Sequence, residues 1–140
     1  MGTDSIAFQS DIAGLTQQAL QGFFVGWPDP PTAETLLALL QASSYRWLAL
    51  DTGTGRCVGY ITALSDGVLF SYISSLEVLP EYQGRGIGTE LVHRMMSSLT
   101  GVYATDLVCD EALQPFYEAC GMVKCPAMVI RRRTLLQAKP

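Results

Sequence analysis

An α/β (α+β) domain with a mixed central sheet and a mostly antiparallel middle is the fold this sequence predicts. Three observations carry it. Segments of strand-like pattern come first, fourth to sixth, and again after each later helix, so strands and helices interleave instead of segregating. An apolar strand runs directly into a glycine-rich turn and then a helix, over Ser71 to Met96. The 140 residues, 49% of them hydrophobic, suffice for one domain with one core, taken here as 1–140.

Ser5 to Gln9 fits a short first strand, and Asp11 can cap a helix running to about Phe23. Pro28, Pro30 and Pro31 then forbid a regular helix, and Phe23, Phe24 and Trp27 sit where that loop begins. Thr32 can cap a second helix with Leu36, Leu37, Leu39 and Leu40 as its apolar stripe. Tyr45–Leu50 and Cys57–Leu64 read as strands joined by the Asp51-Thr52-Gly53-Thr54-Gly55 turn. Ser65-Asp66-Gly67 turns the chain into a strand ending at Val78. Ile87, Leu91, Met95 and Leu99 keep helical spacing in the helix that follows the glycines. Tyr103–Cys109 reads as a buried strand, and Asp110 can cap a helix over Leu113 to Cys120, ended by Gly121. Two short strands fit Met122 to Arg132. The expected total is six to seven strands and about four helices.

Composition excludes several functions. The net charge of −4 argues against nucleic acid, which usually requires a basic face. No stretch approaches the ~20 apolar residues of a membrane span. Asp4 and Asp11 make the N-terminus unlike a signal peptide. Cys57, Cys109, Cys120 and Cys125 form no C-x-x-C pair, and His93 is the single histidine, so a metal site is not expected. Those thiols read as reduced, which places the protein in the cytoplasm.

The chemistry concentrates in Gln83-Gly84-Arg85-Gly86-Ile87-Gly88. Glycines at alternate positions leave the turn nearly bare of side chains. Its backbone N–H groups can approach an anion, and the helix N-terminus behind them adds the positive end of its dipole. A dinucleotide fingerprint needs a sixth-position glycine, but the two frames give Thr89 and Leu91. The Gly-Lys-Ser/Thr ending of a nucleotide-phosphate loop is also missing. The run does fit Q/R-x-x-G-x-G/A, with Leu76, Val78 and Pro80 upstream. It resembles the acyl-CoA-binding motif of the GNAT N-acetyltransferase superfamily. A second segment, Asp110 to Met122, resembles the family pattern N-x-x-A-x-x-F-Y-E-x-x-G-F, with Asp110 in place of Asn and Met122 in place of Phe. The likeness is strong over Leu48 to Ile130 and only an outline over the first forty residues.

The resemblance implies an acyl-CoA N-acyltransferase fold in which the strands flanking the loop splay to admit the pantetheine arm. It implies acetyl-CoA as co-substrate and an amine acceptor, small-molecule or peptide, attacking directly in a ternary complex. Gln83, Gly84, Arg85, Gly86, Ile87 and Gly88 would hold the pyrophosphate, the backbone of Leu76 and Val78 would pair with the arm, and Asp110 would lie beside it. Tyr117 falls where the family places a tyrosine near the coenzyme sulfur. A phenol, with a pKa near ~10, stays protonated and can donate to a departing thiolate. For a base, the candidates are Glu77, Tyr72, Ser74, Asp110 or a water relay. Strand alternation turns Glu77 away from Leu76 and Val78. Phe24, Trp27 and Tyr72 are candidate acceptor contacts, since aromatic rings grip apolar or cationic amines. His93 reads as a solvated or coenzyme-edge residue, and Arg131–Arg133 as a solvated strand end and tail. A homodimer through the final strands is a further family expectation. Two other readings stay open: a coenzyme-binding sensor without turnover, and an O-acyl or longer-chain acyltransferase.

Overall fold

A computed structural model of the chain describes residues 5–137. One sheet has the order β1-β2-β3-β4-β5, with β1 at Ile6–Gln9, β2 at Tyr45–Asp51, β3 at Arg56–Ser65, β4 at Phe70–Val78 and β5 at Ala104–Asp106. The first four strands form an antiparallel meander. The last pairs parallel to β4, because helix α2 (Ile87–Ser98) carries the chain back across the sheet. The other helices are α1 (Ala33–Ala42), α3 (Gln114–Ala119) and α4 (Thr134–Gln137).

The sheet is covered on both faces. On one, Leu91 of α2 meets β3 at Gly59, where a Cβ would lie 3.3 Å from the Leu91 side chain, and Val92 and Met95 are fully buried beside it. On the other, Tyr60 receives Phe23 edge-on at 5.1 Å, and α1 closes over this side with Leu36 and Leu40 fully buried. Thr32 caps α1 as expected, accepting from the Thr35 N–H at 3.2 Å. Asp66 turns β3 into β4 by accepting the N–H groups of Val68, Leu69 and Phe70.

Three expectations are corrected. The helix from Asp11 to Phe23 does not form. Asp11 caps only a turn through the Ala13 N–H at 2.9 Å, and a single 3-10 turn at Gln18–Leu20 follows. Gly14 and Gly22 take φ of 79° and 95°. Leu20 alone is buried between them, so a helix there would lack an apolar stripe to dock. Among the described residues the sheet has five strands rather than six or seven, since Met122 to Arg132 makes no strand. That run finds no ladder partner, and Val123, Met128 and Ile130 are 86%, 99% and 71% exposed. The strand expected over Tyr103–Cys109 is reduced to β5, for the reason that builds the site.

Candidate functional site

β4 and β5 hold together only at Phe70–Ala104, Ser71–Thr105 and Tyr72–Asp106. Past Asp106 they diverge. β4 bulges at the same place: the β3 register slips between Thr62 and Ala63, leaving Ser74 as the extra residue. The edge of β4 from Ile73 to Leu76 therefore faces a cleft instead of a strand. The cleft measures about 300 Å³ and is walled by Ser74, Ser75 and Leu76 on one side and by Val108, Cys109 and Asp110 on the other, with Tyr117 in its lining. A wider cavity of about 830 Å³ opens on the other side of Tyr117, between β5 and the run after α3, and reaches Tyr72.

The glycine loop lies at the end of β4. Gly84 and Gly86 have φ of 79° and 82°, and a Cβ on either would meet nothing within 4 Å. Side-chain-bearing residues rarely enter that region of φ. Gly86 is the N-cap of α2 and supplies no side-chain cap. The first N–H groups of α2 therefore have no side-chain cap, and they follow a turn bare of side chains with the helix dipole behind them, a cradle suited to a pyrophosphate. Gly88 has a different task. A Cβ there would touch the Phe116 ring at 3.7 Å and Val78 Cγ2 at 3.8 Å. Strand β4, helix α2 and helix α3 meet at this point, and Phe116, packed edge-on to Tyr117 at 4.9 Å, carries the tyrosine to the cleft.

The loop is held from outside by contacts that sequence reading missed. Tyr82 donates its hydroxyl to Asp51 Oδ2 at 2.8 Å, tying the loop to the β2–β3 turn. Asp51 is only 7% exposed, and the Tyr82 hydrogen bond, aided by the Gly53 N–H, holds its carboxyl below the usual range. The Asp-x-Gly turn and the Tyr before the motif were visible in the sequence, but not their pairing. Gln83 and Arg85 spend donors on their own chain. Gln83 Nε2 bonds the Val78 carbonyl at 2.9 Å, while Arg85 bonds the Glu81 carbonyl at 3.0 Å and stacks over Tyr82 at 4.9 Å.

Tyr117 is half-buried, and burial, with a smaller contribution from Cys109 and Cys120, pushes its hydroxyl up to about 12. It therefore keeps its proton throughout the neutral range. Asp110 lines the cleft but does not cap as expected. Its carboxylate makes no capping bond, because the turn begins as a 3-10 segment at Glu111–Leu113 and α3 starts only at Gln114, with Pro115 in its first turn. Ser74 and Ser75 hydroxyls both reach buried Thr62 Oγ1, the first at 2.9 Å. Glu77 points away from Leu76 and Val78, as alternation requires. Its two oxygens accept the backbone N–H groups of Phe24 at 2.9 Å and Val25 at 3.1 Å. Phe24 and Trp27 form an edge-on pair at 5.2 Å, lie near β4 through this contact and line neither cavity around Tyr117. His93 is exposed on α2, away from both. Among the described residues, no group of three or more metal-ligating side chains gathers, and no helix is long and apolar enough to cross a membrane.

A splayed pair of strands, a bare loop at a helix start and a tyrosine in the cleft wall are the features that the comparisons with known proteins place in one family. A profile of the acetyltransferase (GNAT) family matches residues 12–122, and the chain belongs to that family. A candidate acetyltransferase from Deinococcus radiodurans superposes with a TM-score of 0.92 at 40% identity, covering 96% of this chain and 93% of that one. A GNAT-family acetyltransferase from Streptococcus pneumoniae follows at TM-score 0.70 and 28% identity, covering 91% and 97%. Among named relatives, the chloroplastic GCN5-related N-acetyltransferase 3 of Arabidopsis thaliana is 39% identical over 74 residues, 51% of this chain and 31% of that protein. The chloroplastic serotonin N-acetyltransferase 2 of rice is 29% identical over 126 residues, 86% of this chain and 62% of that protein. The chain thus spans between about a third and three fifths of the length of these two relatives.

Proposed function

We propose that the protein transfers an acetyl group from acetyl-CoA to the primary amine of a small molecule or peptide, by direct attack in a ternary complex. The observation that carries this reading is the cleft between β4 and β5, which has Tyr117 in its wall and is lined by the strand that the bare Gly84–Gly88 loop follows. The backbone of Gly84 to Gly88 holds the pyrophosphate. The unpaired edge of β4 around Leu76 and Val78 runs along the pantetheine arm, and an N–H there polarises the acyl oxygen. When bound, the thioester supplies an activated acetyl carbon and a sulfur that leaves as a thiolate. Tyr117 gives its proton to that sulfur as the C–S bond breaks and the new C–N bond forms. The proton lost by the attacking amine passes to water ordered by Asp110 and Ser74, both of which line the cleft.

The rice relative's name favours an amine with an aromatic body. A thiol-release screen over arylalkylamines, polyamines, aminoglycosides, amino acids and N-terminal peptides tests this. Release with one amine class supports it. Acetyl-CoA binding with no release from any class favours the sensor reading instead. We also propose a homodimer, on the observation that the run after α3 exposes Val123, Met128 and Ile130.

A further inference from the structure

The segment that precedes α1 is fastened to the sheet at three successive points. Arg56 Nη2 donates to the Gln21 carbonyl at 3.3 Å. Phe23 packs edge-on against Tyr60 at 5.1 Å. Glu77, which pairs with Tyr60 in the β3–β4 register, accepts the consecutive N–H groups of Phe24 and Val25 with its two oxygens. Phe24 has φ of +63°, and among the described residues it is the only non-glycine with positive φ. A left-handed phenylalanine costs about 1–2 kcal/mol and persists only where its surroundings impose it. The left-handed turn aims the two N–H groups at one carboxylate. The Trp27 N–H then closes the turn by donating to the Phe24 carbonyl. The result is a fixed aromatic ledge. Phe24 is buried beneath it, while Val25 and Trp27 remain 56% and 46% exposed. Its anchor lies between Leu76 and Val78, the two residues whose backbone the acyl arm follows in the reading above.

We infer that Glu77 is a positioning residue. It clamps the Phe24–Trp27 ledge against β4 and so sets which amine the enzyme accepts, rather than taking the amine's proton itself. This rests on the acetyl-transfer reading above. The class of acceptor it implies is an amine whose apolar or aromatic body lies against Val25 and Trp27 while its nitrogen reaches the cleft.

The test uses Glu77→Ala and the isosteric Glu77→Gln, which can accept one of the two N–H groups but opposes the other with its own NH₂. Hydrogen exchange at the Phe24 and Val25 amides reads the clamp without any turnover. Loss of charged hydrogen bonds should speed exchange at both amides by about tenfold or more in the alanine variant and less in the glutamine variant. Steady-state kinetics with the best amine from the screen should show its KM raised by about tenfold, kcat within about threefold, acetyl-CoA affinity unchanged and the shape of the pH–rate profile retained. Unchanged exchange overturns the clamp. Faster exchange with unaltered amine KM overturns its role in acceptor choice. A collapse of kcat, with loss of the acidic limb of the pH profile, makes Glu77 the base and overturns the positioning role. If the wild-type protein neither binds nor turns over acetyl-CoA, the acetyl-transfer reading fails, and with it the role in acceptor choice, while exchange still decides whether the clamp exists.

Discussion

Tyr117 shows what one residue's surroundings can do to its chemistry. A surface phenol already holds its proton at neutral pH, and partial burial beside Cys109 and Cys120 holds it more firmly, up to about 12. An acid so placed should matter when the thiolate leaves and not when the coenzyme binds. Tyr117→Phe is therefore expected to lower kcat by about a hundredfold or more, with the acetyl-CoA Kd unchanged by calorimetry. Gly86 makes the complementary case. Gly86→Val forces a β-branched residue into the left-handed region, which costs about 1–2 kcal/mol in stability. The same side chain fills the space that the cradle leaves open. Thermal unfolding should show the modest loss, and acetyl-CoA titration a far larger one. The bare turn around Gly86 was legible in its glycines, whereas Tyr117 was singled out only by its place in the second motif. The employment of Glu77 was not legible. Alternation could say which way its side chain turned, but not that a left-handed Phe24, far earlier in the chain, would present two N–H groups to it.

At the level of elements, the loop works because its neighbours hold it still. The Tyr82–Asp51 hydrogen bond ties the glycine turn to the β2–β3 hairpin, and its pH dependence has a definite sign. The folded carboxyl of Asp51 lies below its ordinary value of 3.8, so the stabilisation is present above that value and is lost as pH falls through the folded one. Urea unfolding of wild type and Asp51→Asn should differ at neutral pH and converge only as the pH falls below 3.8 and through the lowered folded value. The packing of α2 on the sheet is the larger stabiliser. Leu91 is fully buried against the sheet. Leu91→Ala should cost about 2–5 kcal/mol in the same assay with the slope unchanged. The strands β2 to β4, with α1 and α2, were readable because each has one clear period and a clear stop, such as Asp66 or the Gly84–Gly86 turn. The segment 11–23 misled for the opposite reason. It begins with a good cap and contains helix formers, yet Gly14 breaks it and only Leu20 gives it something to bury.

Over the whole molecule, the sheet is a meander whose last strand is allowed to come apart. The divergence of β5 from β4 leaves an edge of β4 unpaired and makes the cleft, so what looks like an incomplete strand is the condition for the site. No local pattern in Tyr103–Cys109 announces where pairing stops, because that limit is set by the bulge at Ser74 on another strand. The final run misled similarly. Its apolar residues suit short strands, but a strand needs a partner, and among the described residues none lies beside 123–133. If a second copy supplies one, light scattering should give twice the chain mass of 15.2 kDa. Met128→Asp combined with Ile130→Asp should then return the monomer mass, because two charges would break the apolar contact. A monomer at all concentrations would overturn the proposed dimer.

The most direct measurement is a calorimetric titration of the wild-type protein and of Gly86→Val with acetyl-CoA. One saturable site in the wild type, lost in a variant that still unfolds cooperatively, is the expected result and would place the coenzyme on the Gly84–Gly88 cradle. Absence of binding to the folded wild-type protein, or equal binding to both, would contradict it.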